Sequence, residues 1–430
     1  MISILHLSEH EILDPSEHEV KDIFRYEKIL SILFKQQEYS KCIEVTEENG
    51  LKKLKSNYYV GVDWLCENQL AVYVKPKIDN ESRQTDYLRM LFSCLRHSDI
   101  LSHTNDLYEV KLDKPYVEIS QKQDLLTPLL VIHFLQILKI IVKKGLKKSH
   151  LERENNLDAT VKGKILITKT IKKNIIKNKQ TKIFCRYQEF GLNSIENRIL
   201  KLTLLFVQRY LALFPDFSKL ASPVLNYCLP AFQEVNENVE LVDIKKVTHN
   251  PFYKEYKDAL RVSLIILKRF GYNMKEINKN DKVKVPPFWI DMSKLFELYV
   301  LGLLKDTFFN NVRYQIKGNY GQPDFILTDA EKNIKMIIDT KYKKEYDQSY
   351  IIDDIRQLSG YARDIRILKE LGYKEVFENK ADVVDCLIIY PTTQQNQNES
   401  YKLPSDLKKT PIDSFIRFYK MAVKLPVIEN

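Results

Sequence analysis

Pro323-Asp-Phe-Ile-Leu327 and, a short polar loop later, Ile337-Ile-Asp-Thr-Lys341 decide the reading of this 430-residue chain. Both are short apolar runs of strand character. Thr328-Asp-Ala-Glu-Lys-Asn333 before the second has the composition of a hairpin loop. Side chains alternate along a strand, so Asp339 and Lys341, two apart, point to one face. Asp324 opens the preceding strand, where the hairpin brings its carboxylate near Asp339, and the Thr340 carbonyl offers another oxygen. Asp324, Asp339 and Thr340 are therefore candidate ligands for one hard divalent cation. Such a cation activates water and neutralises charge on a phosphoryl group, and an adjacent ammonium, Lys341, orients the water or stabilises developing charge.

Working outward, Glu297 interrupts the apolar run Leu295-Phe-Glu-Leu-Tyr-Val-Leu301. Burying a carboxylate there is costly unless it is paired or near a metal; the plainer alternative is a solvated helix face. Gln357 and Tyr361, four apart on a predicted helix, share a face. They are candidates to support the site or touch a nucleic-acid strand, or are ordinary helix surface. Asp353 and Asp354 read most simply as N-terminal helix charges. With Asp324, Asp339 and Lys341 as catalytic core and Glu297, Gln357 and Tyr361 around it, the pattern is of the PD-(D/E)xK nuclease type. A D-x-K triplet alone carries little weight: Glu109-Val-Lys111 and Glu255-Tyr-Lys257 also fit. Pro215-Asp216 with Val242-Asp-Ile-Lys245 copies the motif closely. Asp216, however, follows a long helical run, and Pro223 and Pro230 argue against a hairpin after it.

The expected fold is α/β in three parts. Residues 1–118 read as a β-rich domain, with Tyr58–Trp64 and Leu70–Ile78 as strands around a Cys66–Gln69 hairpin loop. Residues 119–275 read as mostly helical, with helices over Thr127–Lys144, Ile195–Leu213 and Tyr253–Phe270. Within that part, positions 143–179 hold eleven lysines against Glu152, Glu154 and Asp158. This Lys-rich segment is either a solvated helix face and loop or a phosphate-contacting surface. Residues 276–430 read as the nuclease core, a mixed sheet flanked by helices, in the order α-β-β-β-α-β. Its first helix covers Asp291–Thr307, its second Asp353–Leu371, and its last strand Val383–Tyr390.

A net charge of +10 is compatible with a polyphosphate partner. The six cysteines show no C-x-x-C spacing and read as reduced thiols. The chain is expected to be cytoplasmic: Met1–His6 lacks a basic n-region, and the apolar Leu125–Val142 stretch reads as a buried helix rather than a membrane span. Gly163-Lys164 has no upstream P-loop glycine, so no nucleotide hydrolysis is expected of this chain alone. Residues 250–430 contain no histidine. A metal centre there needs oxygen ligands, which points to Mg²⁺ or Mn²⁺.

The chain resembles the McrC nuclease subunits of McrBC, modified-cytosine-dependent restriction systems. Tyr59-Val-Gly-Val62 with Val74-Lys-Pro-Lys-Ile78 is similar to the family's N-terminal pattern. Lys144-Gly-Leu146, Val161-Lys-Gly-Lys-Ile165 and Asn197-Arg198 are similar to its central one. Ser293-Lys-Leu-Phe-Glu297, Pro323-Asp324, Asp339-Thr-Lys-Tyr342 and Gln357-x-x-x-Tyr361 are similar to its nuclease core. The resemblance implies double-stranded DNA as substrate and an AAA+ McrB-like GTPase hexamer as partner. The N-terminal domain would dock in that hexamer's pore and stimulate it, and the partner would use the GTP. LlaJI-type restriction enzymes share this plan with a sequence-specific target. Two other readings are a stand-alone RecB-like nuclease and a non-catalytic basic DNA-binding or AAA+ adaptor protein.

Overall fold

In the computed structural model, strands and helices are described for residues 3–13, 31–48, 51–79, 85–94, 100–120, 124–213, 215–239, 254–269, 282–343, 348–373, 384–392 and 410–427, with single positions 97, 403 and 407. The chain divides into two compact units, one of Met1–Leu129 with Met274–Asn430 and one of Leu130–Asn273. The first and third expected parts thus lie in one unit.

The reason is a strand exchange. The N-terminal sheet has β1 (Ser3–Ser8), β6 (Tyr59–Cys66), β7 (Leu70–Lys75) and β8 (Tyr108–Val110). The place between β6 and β8 is taken by β14 (Phe288–Asp291), far along the chain. A second return pairs β13 (Lys282–Val285) with β9 (Val117–Ser120). Buried residues fill almost all of β6, as expected of a strand covered on both faces. Within it Gly61 faces Trp289. A Cβ there would lie 2.0 Å from the Phe288 carbonyl oxygen, and Gly61 has φ +157°. The close β6–β14 approach therefore needs glycine. Next to it, the buried Asp63 carboxylate takes the Lys111 ammonium at 2.7 Å and the Trp289 indole N–H at 3.1 Å. A buried charge so partnered ties β14 to the N-terminal strands. The expected Tyr58–Ile78 hairpin is present, ending before Pro76 as β7 does. A smaller antiparallel sheet, β2 (Ile12–Leu13), β5 (Leu51–Ser56), β4 (Lys41–Glu48) and β3 (Ile32–Leu33), packs Ile43 and Leu54 into the same core as Leu7, Val72 and Trp289. Helix α1 (Tyr87–Cys94) completes this part.

The other unit holds α2 (Leu126–Lys144) from Leu130 onward, α4 (Ile195–Ala212) and α6 (Lys254–Arg269), close to the expected helices, and α5 (Pro215–Cys228), which was not expected. Among the described residues α2 is the one helix long and apolar enough to cross a membrane, but it is 78% buried. The Lys-rich segment differs from expectation in part. It includes a strand that was not expected, β10 (Ser149–Asp158), paired in a ribbon with β12 (Lys182–Gly191), with β11 (Lys164–Ile165) and the short α3 (Ile167–Lys173) between; apart from Lys164, its lysines lie on helices, turns and loops as expected. Both faces of the ribbon are largely open to solvent, so the sequence shows no period-2 apolar alternation to reveal it.

The C-terminal sheet runs β15 (Val312–Tyr314), β16 (Phe325–Asp329), β17 (Ile334–Thr340), β18 (Asp385–Thr392), β20 (Phe418–Lys424) and β19 (Thr410–Pro411). The first three are antiparallel, whereas β17, β18 and β20 are parallel. Strands β19 and β20 were not anticipated. The hairpin loop is held by Asp329, whose Oδ1 accepts the Glu331 and Lys332 amides at 3.0 and 3.1 Å, with Asn333 left-handed at φ 49°. Helix α7 (Met292–Phe308) follows β14 directly and is capped by Asp291, which accepts the Lys294 amide at 2.9 Å. The expected helix Asp353–Leu371 is two: α8 (Gln348–Tyr361) and α9 (Ile365–Glu370). The break falls at Asp364, which caps α9 and also accepts the backbone and side-chain N–H groups of Asn319 at 2.6 and 2.9 Å. It thereby pins the loop leading to Asp324. Since α8 begins at Gln348, Asp353 and Asp354 lie well inside the helix rather than at its N-terminus.

Candidate functional site

The β16–β17 register sets Phe325 opposite Ile338. One step before β16, Asp324 therefore stands across from Asp339. Directly opposed residues share a face, with Cβ atoms about 4.5–5.5 Å apart. That face also carries Ile326 and Ile337, which pack on Ile355 and Leu358 of α8. Asp324 Oδ2 accepts the Thr340 amide at 2.7 Å and the Thr340 hydroxyl at 2.5 Å. Thr340 thus fixes Asp324, a contribution beyond its expected carbonyl.

Lys341 Nζ lies 2.6 Å from Asp339 Oδ2, as their spacing on the strand predicts. The same ammonium donates to Gln357 Oε1 at 2.8 Å, and Gln357 Nε2 donates to the Tyr361 hydroxyl at 2.9 Å. Gln357 is exposed, so this end of the cluster opens on the surface. The structure therefore joins Asp339, Lys341, Gln357 and Tyr361 in one polar chain. Asp354 is added to it: buried, it takes Lys343 at 2.9 Å and lies 3.6 Å from Lys341.

On the other side, Glu297 Oε1 accepts Gln315 Nε2 at 2.9 Å, and Lys294 Nζ lies 3.4 Å from Glu297 Oε2. Lys294 also donates to the Tyr314 hydroxyl. Glu297 is therefore not a solvated face residue. Sequence reasoning missed Lys294, Tyr314, Gln315 and Asp354. Lys294 had a signal, one helical turn before Glu297; Gln315 had none, because it arrives from a separate strand end.

The electrostatics join these groups. Burial, then the charge of Asp324, pushes the Asp339 carboxyl up to about 7 against the pull of Lys341. Burial, then Asp324 again, pushes Glu297 up to about 7 against Lys294. Burial raises Asp324 too, opposed by the Thr340 hydrogen bonds. Burial pulls the Lys341 ammonium down, but Asp339 beside it outweighs this and raises it. Asp339 Oδ2 is buried, and its partner is the Lys341 ammonium. Three desolvated acids facing two ammoniums leave negative charge uncompensated. A hard cation fits that deficit. Among the described residues no three His, Cys, Asp or Glu side chains converge on one point. Two carboxylates completed by a carbonyl and waters is the mode in which Mg²⁺ is commonly held. Asp243 and Lys245 of the competing motif lie outside the described residues, and Asp216 stands on helix α5.

Fold and site define an α/β protein with a carboxylate–ammonium cluster at the end of a mixed sheet. The chain belongs to the McrBC 5-methylcytosine restriction system component family, whose profile matches residues 54–371. No curated protein matches it at a significant level. Among solved structures, a Thermococcus gammatolerans assembly of McrB AAA+ hexamers with bound McrC is similar at TM-score 0.40 and 15% identity, over 98% of this chain and 94% of that one. The McrBC complex of the same organism gives TM-score 0.30 and 15% identity, over 70% and 87%. Similarities this low add nothing to the family assignment.

Proposed function

We propose that this chain is the endonuclease subunit of a modified-cytosine-dependent restriction system, with a PD-(D/E)xK core. It hydrolyses phosphodiesters of double-stranded DNA in the cytoplasm, together with an AAA+ McrB-like GTPase hexamer that consumes the GTP and that it stimulates. The observation that carries this reading is the buried Asp339 carboxylate paired with Lys341 and standing opposite Asp324. Membership of the restriction-system family supplies the context. The missing P-loop agrees with GTP being used elsewhere.

In this reading Asp324, Asp339 and the Thr340 carbonyl hold Mg²⁺, or Mn²⁺. The bound ion supplies charge neutralisation at the phosphoryl oxygens and lowers the proton affinity of water. Lys341 orients the attacking water and stabilises the charge that grows on the phosphate. Gln357 and Tyr361 hold the Lys341 ammonium toward the open side, where a DNA strand approaches. Glu297, kept in place by Gln315 and Lys294, adds a carboxylate at the rim and takes up a proton near neutral pH.

The test is cleavage by the purified chain with an AAA+ McrB-like GTPase. Double-strand cuts in cytosine-methylated DNA that need both GTP and Mg²⁺ are expected. Equal cutting of unmethylated DNA would move the target to a sequence-specific one. Robust cutting by the isolated chain without nucleotide would remove the partner from the proposal.

Melting experiments give an independent check. Asp339 and Glu297 start from ordinary values of 3.8 and 4.5 and reach about 7 when folded. The folded state therefore binds more protons than the unfolded one in that window, and stability falls as pH rises through it. Mg²⁺ is expected to raise Tm more at pH 8 than at pH 6, because below about 7 protons compete for the same oxygens. The same Mg²⁺ shift at both pH values would argue against these two acids facing the ion.

A further inference from the structure

The Val74-Lys-Pro-Lys-Ile78 motif takes no part in the chemistry above, yet its second lysine reaches the nuclease strand. Lys77 follows β7 in the N-terminal sheet. Its ammonium donates to the backbone carbonyl of Tyr342 at 2.7 Å, immediately after Lys341. It also lies over the Tyr342 ring, 4.5 Å from the centroid, and over Tyr58 at 5.3 Å. Lys77 is itself anchored: its amide donates to Glu9 Oε2 at 2.8 Å, and the Glu9 amide donates to the Lys75 carbonyl at 3.0 Å. Glu9 is buried in the same unit. The Tyr342 ring is buried too and packs on Phe296, 5.8 Å between centroids, next to Glu297 on α7. One ammonium therefore grips the residue that follows Lys341 and whose ring packs on Phe296 of α7.

The buried Glu9 carboxylate attracts the Lys77 ammonium and helps to hold it in place. The Lys77 charge is partly buried, which is costly. A hydrogen bond to a backbone carbonyl together with a cation–π contact to the same residue fixes both the position and the rotation of that segment. The Lys341 amide donates to the Ile389 carbonyl at 2.8 Å, and the Lys343 amide to the Lys341 carbonyl at 2.9 Å. Thr340 is bonded to Asp324 and Lys343 to Asp354; at Tyr342 between them, the backbone carbonyl is held by Lys77.

We propose that Lys77 is a positioning residue for DNA cleavage: it clamps Tyr342, sets where Lys341 stands relative to Asp339 and Glu297, and ties nuclease competence to the N-terminal sheet. This rests on the nuclease reading above. An N-terminal sheet that is displaced or strained by a partner would move the clamp and, with it, the catalytic ammonium.

The experiment uses the full chain with its GTPase partner and compares wild type, Lys77→Met, Lys77→Gln and Asp339→Ala. Met keeps the length and apolar stem; Gln keeps a donor without the charge. In Lys77→Met, kcat for cleavage is expected to fall about 10- to 100-fold, the range for residues that orient a catalytic group. The KM for DNA is expected to stay the same, because Lys77 acts through Tyr342. Hydrogen exchange in the 338–343 segment of the isolated chain is expected to accelerate, with that of β1 and β7 unchanged. Lys77→Gln should fall between, and carries the test if the Met variant does not fold. Unchanged kcat in a folded Lys77→Met chain, or a loss confined to KM, overturns the inference. Equal cleavage by wild type and Asp339→Ala instead sinks the site assignment beneath it, a different failure with a different signature.

Discussion

Asp339→Ala is expected to reduce DNA cleavage by about 10³-fold or more, the order of loss found when a preorganised electrostatic element of a site is removed. Stimulation of the partner's GTPase should survive. Asp339 is 3% exposed, stands opposite Asp324 and contacts Lys341. Deleting its carboxylate removes a cation ligand and the charge that holds Lys341 in place. Lys341→Ala should have a comparable effect for a different reason: the ligands remain, but the ammonium that faces the phosphate is lost. Mg²⁺ stabilisation measured by melting separates the two. It should vanish in Asp339→Ala and persist in Lys341→Ala. Neither variant should unfold the protein. In Asp339→Ala, Lys341 keeps Gln357 and Asp354 as partners. The carboxylate removed is one whose burial is poorly compensated, so the metal-free protein should melt no lower at pH 8. Full cleavage by either variant would end the assignment.

Gly61→Ala is expected to cost about 3–5 kcal/mol of stability, combining backbone strain with overpacking that cannot relax. The new methyl would meet the Phe288 carbonyl at 2.0 Å and the Trp289 Cα at 3.0 Å. Both are backbone atoms of β14, so no rotamer change relieves the clash. The β6–β14 pairing must open, and with it the Trp289 contact to Asp63. Because β14 runs straight into α7, the variant should also lose cleavage although Gly61 is remote from the cluster. Gly360→Ala is the control. It lies in α8 with nothing within 4 Å of the added methyl, and alanine is the better helix former by about 1 kcal/mol. A folded Gly61→Ala protein with wild-type Tm would refute the strand exchange as the link between the two ends of the chain.

Much of the site was legible because its pieces are local. Asp339 and Lys341 share a face by strand alternation, and their ion pair follows from that alone. The β16–β17 hairpin, from Pro323 through Asn333 to Thr340, brings Asp324 across with few residues between. Gln357 and Tyr361 meet because helical neighbours four apart must. Helix α7 could be placed from Asp291 and its apolar run. Each is a short-range consequence of backbone geometry, readable from period and spacing.

What escaped the sequence depends on distant partners. Asp364 splits the α8–α9 helix because Asn319 is there to be held, a contact across separate elements. The β10–β12 ribbon is polar on both faces, so no amphipathic rhythm announces it. Gln315, Lys294 and Asp354 gain meaning only from the carboxylates that folding brings beside them. Lys77 gains its own from Tyr342, and Phe288–Asp291 take their place from Gly61. Period and residue type thus picked out the groups that gather in the candidate site. Only long-range packing, where burial and charge are shared between distant segments, decided what steadies those groups and that the chain's two ends form one unit.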